Sequence, residues 1–439
     1  MRHNHLILEI AVRAFISLAT VVFVVLAHCA GAAIYQVGPA RTHTNLQSVA
    51  RLLAPGDVVE VDGDTTYAGG VTFDNDGTAA EKITIRGVRV NGFRPVLSGI
   101  SATSGNAVVR VRADHYLFEG IDVTAGDDLS ALRGFYNMGD DTTLRDSVVH
   151  DCPLNGISGA AVSGSLTVQY VEVHHCGAED YAHQIYVESD NVRHPNAVFR
   201  LEFCFIHDGN GGNNVKSRVG RNEIYYNWIE GSAYHELDLI GADPDDQSAP
   251  ADAVREDSDV VGNVFYKLES SNGAVARFGS DGTGSSNGRY RFVNNTVVTD
   301  RNWWLNYGIF KIIGRRESVE VHNNVFYRNG GLVFMVHQDP LPAGSSNAFA
   351  GANNWVPKNS YTVPDEWTGT ILGTNPAFVD VTNFLLTPKT NSQLFNAGIS
   401  PTVGLPNFPF PSPLAAPIFL PPLRAPITNN SVVLRPVDG

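Results

Sequence analysis

LRDSVVHDC (residues 144–152) and VQYVEVHHC (168–176) align without a gap, 24 residues apart. LEFCFIHDG (201–209) keeps the pattern. Later copies read IYYNWIEG (224–231), VVGNVFYK (260–267), RFVNNTVVTD (291–300) and EVHNNVFYRNG (320–330). One column of this alignment runs through Ser147, Val171, Cys204, Asn227, Asn263, Asn295 and Asn324, with steps of 24, 33, 23, 36, 32 and 29 residues. A shortest period near 23 residues with larger insertions describes a stack of equal coils from which loops grow.

Each copy is a short β-branched and aromatic run bounded by Gly, Asn or Asp, which reads as a strand. Helical periodicity is nearly absent. The expected fold is all-β: a single-stranded right-handed parallel β-helix, each coil stacking on the next at about 4.8 Å. The asparagine column then becomes a ladder of stacked amides that satisfies buried turn backbone. His150, His174 and His207 share another column and read either as a stacked turn or as a metal site. Cys152 and Cys176 fall on adjacent coils, as two buried thiols or as a disulfide. An open stack needs caps. TNLQSVARLLAPGDVVEV (44–61) supplies one, with Thr44 or Asn45 capping a short amphipathic helix that ends at Pro55-Gly56. NPAFVDVTNFLLTPKTNSQLFNAGISP (375–401) reads as a last coil.

Composition narrows the function. The 439 residues carry a formal net charge of −14, which argues against a nucleic-acid partner. Residues 1–32 read as a signal peptide: Arg2, His3 and Arg13, an apolar run from Ala14 to Ala27, then the small-residue site Ala30-Gly31-Ala32. The expected organisation is signal peptide 1–32, β-helix domain 33–400 and a proline-rich tail 401–439. The protein is expected to be secreted or periplasmic, monomeric, and without a membrane span once the signal is removed.

Between the ladder strands lies a second set: NGISG (155–159), HQIYV (183–187), NNVKS (213–217), HELDL (235–239), GAVAR (273–277) and YGIFK (307–311). Aligning Ile157, Ile185, Val215, Leu237, Val275 and Ile309 as core residues turns their neighbours outward. Tyr186, Lys216 and Asp238 then form one vertical line, and Gln184, Asn214 and Glu236 a second. The flanking coils present only Gly, Ser or Ala. Arg218 continues outward beyond Lys216.

These residue types suit β-elimination on a uronic-acid polymer. That reaction needs a cation at the carboxylate, a base for the C5 proton and an acid for the leaving oxygen. Lys216 is the candidate base, although its ordinary pKa of about 10.4 must be lowered. Arg218 lowers it or clamps the carboxylate, and Tyr186 is the candidate acid. His183 and His235 are alternative acid–base groups. Gln184, Asn214, Arg277, Trp303 and Trp304 are candidate substrate contacts, the tryptophans by stacking on sugar rings. Glu236 and Asp238, with Asp243, Asp245 and Asp246 nearby, are candidate Ca²⁺ ligands. They also stand about 7 Å apart as a possible glycosidase pair. A C5-epimerase and a non-catalytic carbohydrate-binding protein remain open on the same face.

LAPGDVVEVDGDTTYAGGVTF (53–73) and GTAAEKITIRG (77–87) resemble the N-terminal coils of chondroitinase-B-like and alginate lyases. NNVKSRVGRNEIYYN (213–227) is similar to a Lys-Ser-Arg coil of polysaccharide-lyase β-helices. The chain thus resembles the pectate-lyase-like superfamily over roughly residues 34–400. The resemblance implies an acidic polysaccharide substrate and a lysine base on the β-helix face, which Lys216 matches. It also implies an arginine about one coil further on, where this chain has Asp238.

Overall fold

The computed structural model describes residues 31–99, 106–127, 133–243, 255–268, 272–300, 308–339 and 348–399. Three long sheets run its length. The first has twelve strands from Ile34–Val37 to Ala348–Ala352, the second twelve from Thr66–Ala68 to Ile371–Gly373, and the third ten from Val71–Phe73 to Val336–Gln338. Every pairing within them is parallel and joins successive coils, as in Arg200↔Glu223↔Asp259 of the first sheet. One coil is therefore one strand from each sheet: Arg221–Tyr225, Trp228–Glu230 and Leu237–Ile240 make a complete turn. This is the expected parallel β-helix.

The corner between the first and second sheets takes only two residues. The first is held at positive φ: Tyr170 at 53°, Phe203 at 56°, Tyr226 at 58°, Asn294 at 56° and Asn323 at 57°. The second is the ladder residue. Asn263 Oδ1 accepts from both the backbone N–H (2.8 Å) and the side-chain amide (2.9 Å) of Asn227, while its own amide donates to Ile224 O (2.9 Å) and Asn295 Oδ1 (3.0 Å). The same set recurs at Asn295 and Asn324 and ends on Asn354, a further member. The amide ladder satisfies a corner that no strand pairing can reach. Outside it, Tyr170, Phe203 and Tyr226 stack at 5.1 and 5.2 Å.

Inside, apolar side chains rise in columns. Ile185, Val215 and Leu237 are fully buried in the third sheet, and Val173, Ile206 and Ile229 in the second. His150, His174 and His207 stack at 5.0 and 5.1 Å. Asp122 and Glu172 hold the outer two rings at 2.9 and 3.0 Å. Cys152, Cys176 and Cys204 are buried free thiols.

The N-terminal cap is shorter than expected. The helix spans Gln47–Ala50, with Asn45 Oδ1 accepting from Ser48 N–H at 2.9 Å, and Leu46, Val49, Ala50 and Leu53 close the core. At the other end Trp367 stacks on Phe349 and Phe326. Residues 375–399 are not a last coil. Phe378–Asp380 and Leu385–Pro388 form an antiparallel pair, and Phe378 and Phe384 cover the aromatic outer face of the second sheet at Tyr327, Tyr266 and Trp228. Burying those rings outweighs one more coil on the end of the stack. The signal segment and the tail 401–439 lie outside the described residues.

Asn263→Ala removes the acceptor for Asn227 N–H and the donor to Ile224 O. The expected loss is about 2–4 kcal/mol of unfolding free energy by denaturant titration. A change below about 0.5 kcal/mol would show that the ladder is not what holds the corner.

Candidate active site

The third sheet carries the site. Its pairings place Ser158, Tyr186, Lys216, Asp238, Arg277 and Lys311 side by side on successive coils. The expected line of Tyr186, Lys216 and Asp238 is present. Beyond it, the flanking coil presents Arg277, not Ala274 or Ala276. Leu237 pairs with Ala276, one residue later than the sequence alignment has it. Gly273, at φ 74°, lengthens the turn, and Ala274 N–H donates to His235 Nδ1 at 2.8 Å, so the strand begins at Ala276.

The second expected line does not face outward. Gln184, Asn214 and Glu236 are fully buried and form a ladder of their own at the corner between the second and third sheets. Gln184 Nε2 donates to Asn214 Oδ1 (2.9 Å), and Asn214 Nδ2 donates to Glu236 Oε2 (2.7 Å). Ser232 Oγ (2.8 Å) and the buried Lys267 ammonium (3.4 Å) close on Glu236 Oε1. Strict alternation breaks at this corner because buried backbone there needs partners: Gln184 also donates to His207 O and Asn214 to Glu230 O. Gln184 and Asn214 are therefore structural and not substrate contacts. Glu236 is engaged inside the wall and forms no ligand pair or glycosidase pair with Asp238.

A third ladder, also buried, lies beside the column of Tyr186, Lys216 and Asp238. His183 N–H donates to Asn155 Oδ1 (2.8 Å), Asn213 N–H to His183 Nδ1 (2.9 Å) and His235 N–H to Asn213 Oδ1 (3.0 Å). These contacts fix Nδ1 of both histidines as acceptors, so the neutral rings carry their proton on Nε2. Burial, then the charge of Lys216, depresses the His183 pKa to about 3. His235 is fully buried, and its pKa is also lowered by burial and by Arg277. It is a ladder member out of reach of a polymer.

Asp238 is fully buried yet ionised. Burial opposes its charge, but Arg277 overcomes that with bidentate hydrogen bonds at 2.7 and 2.6 Å, and its pKa lies below the usual carboxylate range. Asn213 Nδ2 adds a third bond at 3.0 Å. Both Asp238 and Arg277 are thus occupied by each other: the carboxylate is no open Ca²⁺ ligand and the guanidinium no open sugar contact. Among the described residues no cluster of His, Cys, Asp or Glu has metal-binding geometry.

Tyr186 and Arg218 interlock. The phenol donates to Glu188 Oε1 at 2.6 Å and accepts from Arg218 Nε at 3.1 Å. Burial, then Glu188, raises its pKa far above the ordinary tyrosine value. The Lys216 ammonium lies over the Tyr186 ring, 5.1 Å from its centre. Arg218 does not extend outward: it is buried, donating to Gly241 O (2.5 Å), Asp281 Oδ2 (2.5 Å) and Thr283 Oγ1 (3.2 Å). Lys216 Nζ reaches the same Asp281 oxygen at 3.1 Å. Asp281, Thr283, Glu188 and Asn213 are the site residues that sequence reading missed. Glu188 was accessible, since it stands two residues beyond Tyr186 on the same face. Asp281 sits in a loop outside the repeat and carries no such signal. Trp303, Trp304, Asp245 and Asp246 lie outside the described residues.

No family model and no curated protein sequence matches the chain. Among solved structures, pectate lyase Pel9A superposes with a TM-score of 0.53 at 14% identity, over 88% of this chain and 95% of that one. The fold is that of the pectate-lyase-like parallel β-helices. An alginate lyase from Paenibacillus sp. str. FPU-7 superposes at TM-score 0.41 and 18% identity, over 71% of this chain and 99% of that one. The GH136 lacto-N-biosidase from Eubacterium ramulus does so at 0.37 and 11%, over 78% and 68%. At 14% identity the likeness to Pel9A is one of fold.

The His183 shift has a defined consequence. The unfolded chain takes up a proton near pH 6.5 and the folded ring only near 3, so this group lowers stability as pH falls through that window. Nitrogen NMR of labelled histidine should find His183 neutral and protonated on Nε2 at pH 5. A titration midpoint near 6.5 would contradict the ladder.

Proposed function

We propose that this protein is a polysaccharide lyase that cleaves a uronic-acid polymer by β-elimination, with Lys216 as the base. The supporting observation is the in-register column Tyr186–Lys216–Asp238, with Arg218 behind it. One amine, one phenol and one guanidinium meet on a single face of a fold shared with a pectate lyase. Read as an export signal, residues 1–32 would bring such an enzyme to an extracellular polymer.

In this scheme Lys216 acts as the neutral amine, its ammonium proton having first passed to water, and takes the proton from C5. The C–H electron pair becomes the C4=C5 double bond, and the bond from C4 to the bridging oxygen breaks. That oxygen takes a proton from Tyr186. A phenol of raised pKa stays protonated until an alkoxide-like oxygen develops beside it. Arg218 Nε, already donating to the phenol oxygen, stabilises the phenolate left behind. The positive charge needed at the substrate carboxylate comes from Arg218 Nη2. Asp238 and Arg277 do not react. They hold the strand next to Lys216 in place as a desolvated pair, which is costly to break, by about 3–5 kcal/mol.

The test is a panel of uronate polymers, with and without chelator, followed by ultraviolet absorbance of the unsaturated product. At least one polymer is expected to give product, with chelator leaving the rate unchanged. Lys216→Ala should lose at least about 10³-fold and Tyr186→Phe about 10²-fold or more. Folded protein that yields no unsaturated product from any polymer refutes the proposal. Solvent deuterium at C5 without chain cleavage would make it an epimerase.

A further inference from the structure

Lys216, on the strand Val215–Ser217, and Arg218, immediately after it, converge on one atom from a different coil. Asp281 lies in the loop between the strands Ala276–Gly279 and Arg289–Val293, and its Oδ2 accepts from Lys216 Nζ at 3.1 Å and Arg218 Nη2 at 2.5 Å. The other oxygen, Oδ1, accepts from Thr283 N–H (3.2 Å) and Thr283 Oγ1 (2.7 Å). Thr283 Oγ1 is also 3.2 Å from Arg218 Nη2. A loop carboxylate is thus held by an ammonium, a guanidinium and a hydroxyl on the face proposed to receive a polymer of carboxylates. These donors match any carboxylate, because a planar anion with two acceptor oxygens is what they bind.

We propose that Asp281 occupies the subsite for a substrate carboxylate, and that a uronate carboxylate displaces it onto Arg218 Nη2 and Thr283 Oγ1. This rests on the reading of the face as a uronate site and names the atoms that read the acid group. The exchange replaces one carboxylate by another, so Arg218 is never left buried with its charge unbalanced. It also removes the Asp281 anion that favours the Lys216 ammonium; once that ammonium has given a proton to water, the neutral amine can turn to the C5 proton next to the newly seated carboxylate. The loop 280–285 acts as a built-in competitor that neutral sugars have no carboxylate to replace.

An internal competitor lowers apparent affinity by the fraction of molecules in which it has moved aside. Removing its charge should therefore tighten binding, whereas damage to a merely structural residue would weaken it. The probes are methyl galacturonoside and methyl mannuronoside, which carry the carboxylate but have no 4-linked sugar to expel. They are titrated by NMR into the full-length wild type, Asp281→Asn and Asp281→Ala, with methyl glucoside as the neutral control. At least one uronoside should bind about tenfold tighter to a variant than to wild type, with no change for the glucoside. The alanine variant, which places no amide against the guanidinium, decides where the asparagine lowers the unfolding midpoint. Unchanged or weaker uronoside binding in both variants overturns the subsite. If wild type nonetheless makes unsaturated product, the lyase reading stands alone; if binding tightens while no polymer is cleaved, the subsite stands alone. No uronoside binding by any of the three proteins rejects both.

Discussion

Backbone hydrogen bonding from one coil to the next, in a single fixed register, is the constraint on which everything else depends. It brings Tyr186, Lys216, Asp238 and Arg277 into contact although 30, 22 and 39 residues separate successive members. Side chains on a strand alternate with period two, so a slip of one residue at any coil would turn the reactive group of that coil into the core. Three polar ladders pin the register at the corners. Asparagines from Asn227 to Asn354 hold the first, Gln184, Asn214 and Glu236 the second, and Asn155, His183, Asn213 and His235 the third.

The third ladder links architecture to chemistry. Its members give an acceptor to the backbone of the next coil beside the column of Tyr186, Lys216 and Asp238, so the backbone itself fixes the ring orientation of His183. Around it, buried charges come in satisfied sets: Asp238 with Arg277, Glu236 with Lys267, and Asp281 with Lys216 and Arg218. Such sets are costly to assemble and more costly to break, which favours one arrangement of the face over many. For the proposed lyase reaction, such preset donors are what stabilisation of developing charge requires.

Much of this was legible in the sequence. The alignment of Ser147 through Asn324 marked seven of the coils and the amide ladder as far as Asn324, and alternation marked the line of Tyr186, Lys216 and Asp238. Three features were not legible, each for a physical reason. Corners break alternation, so Gln184, Asn214 and Glu236 turn inward where backbone needs partners. A glycine at positive φ lets a turn absorb one extra residue, which moves Arg277 rather than Ala276 beside Asp238. Loop residues obey no period, so nothing marked Asp281 as the partner of two cations on a coil more than sixty residues earlier in the chain.

In the proposed function, this register builds one face on which a uronate lies with C5 against residue 216. A crystal structure of the Lys216→Ala variant with a bound uronate tetramer tests that directly. The expected result is the oligomer along the third sheet, a carboxylate on Arg218 and Thr283, Asp281 displaced, and a C5–H directed at the space left by the lysine. An oligomer seated on another sheet, or on this one with its carboxylates turned away from Arg218, would contradict it.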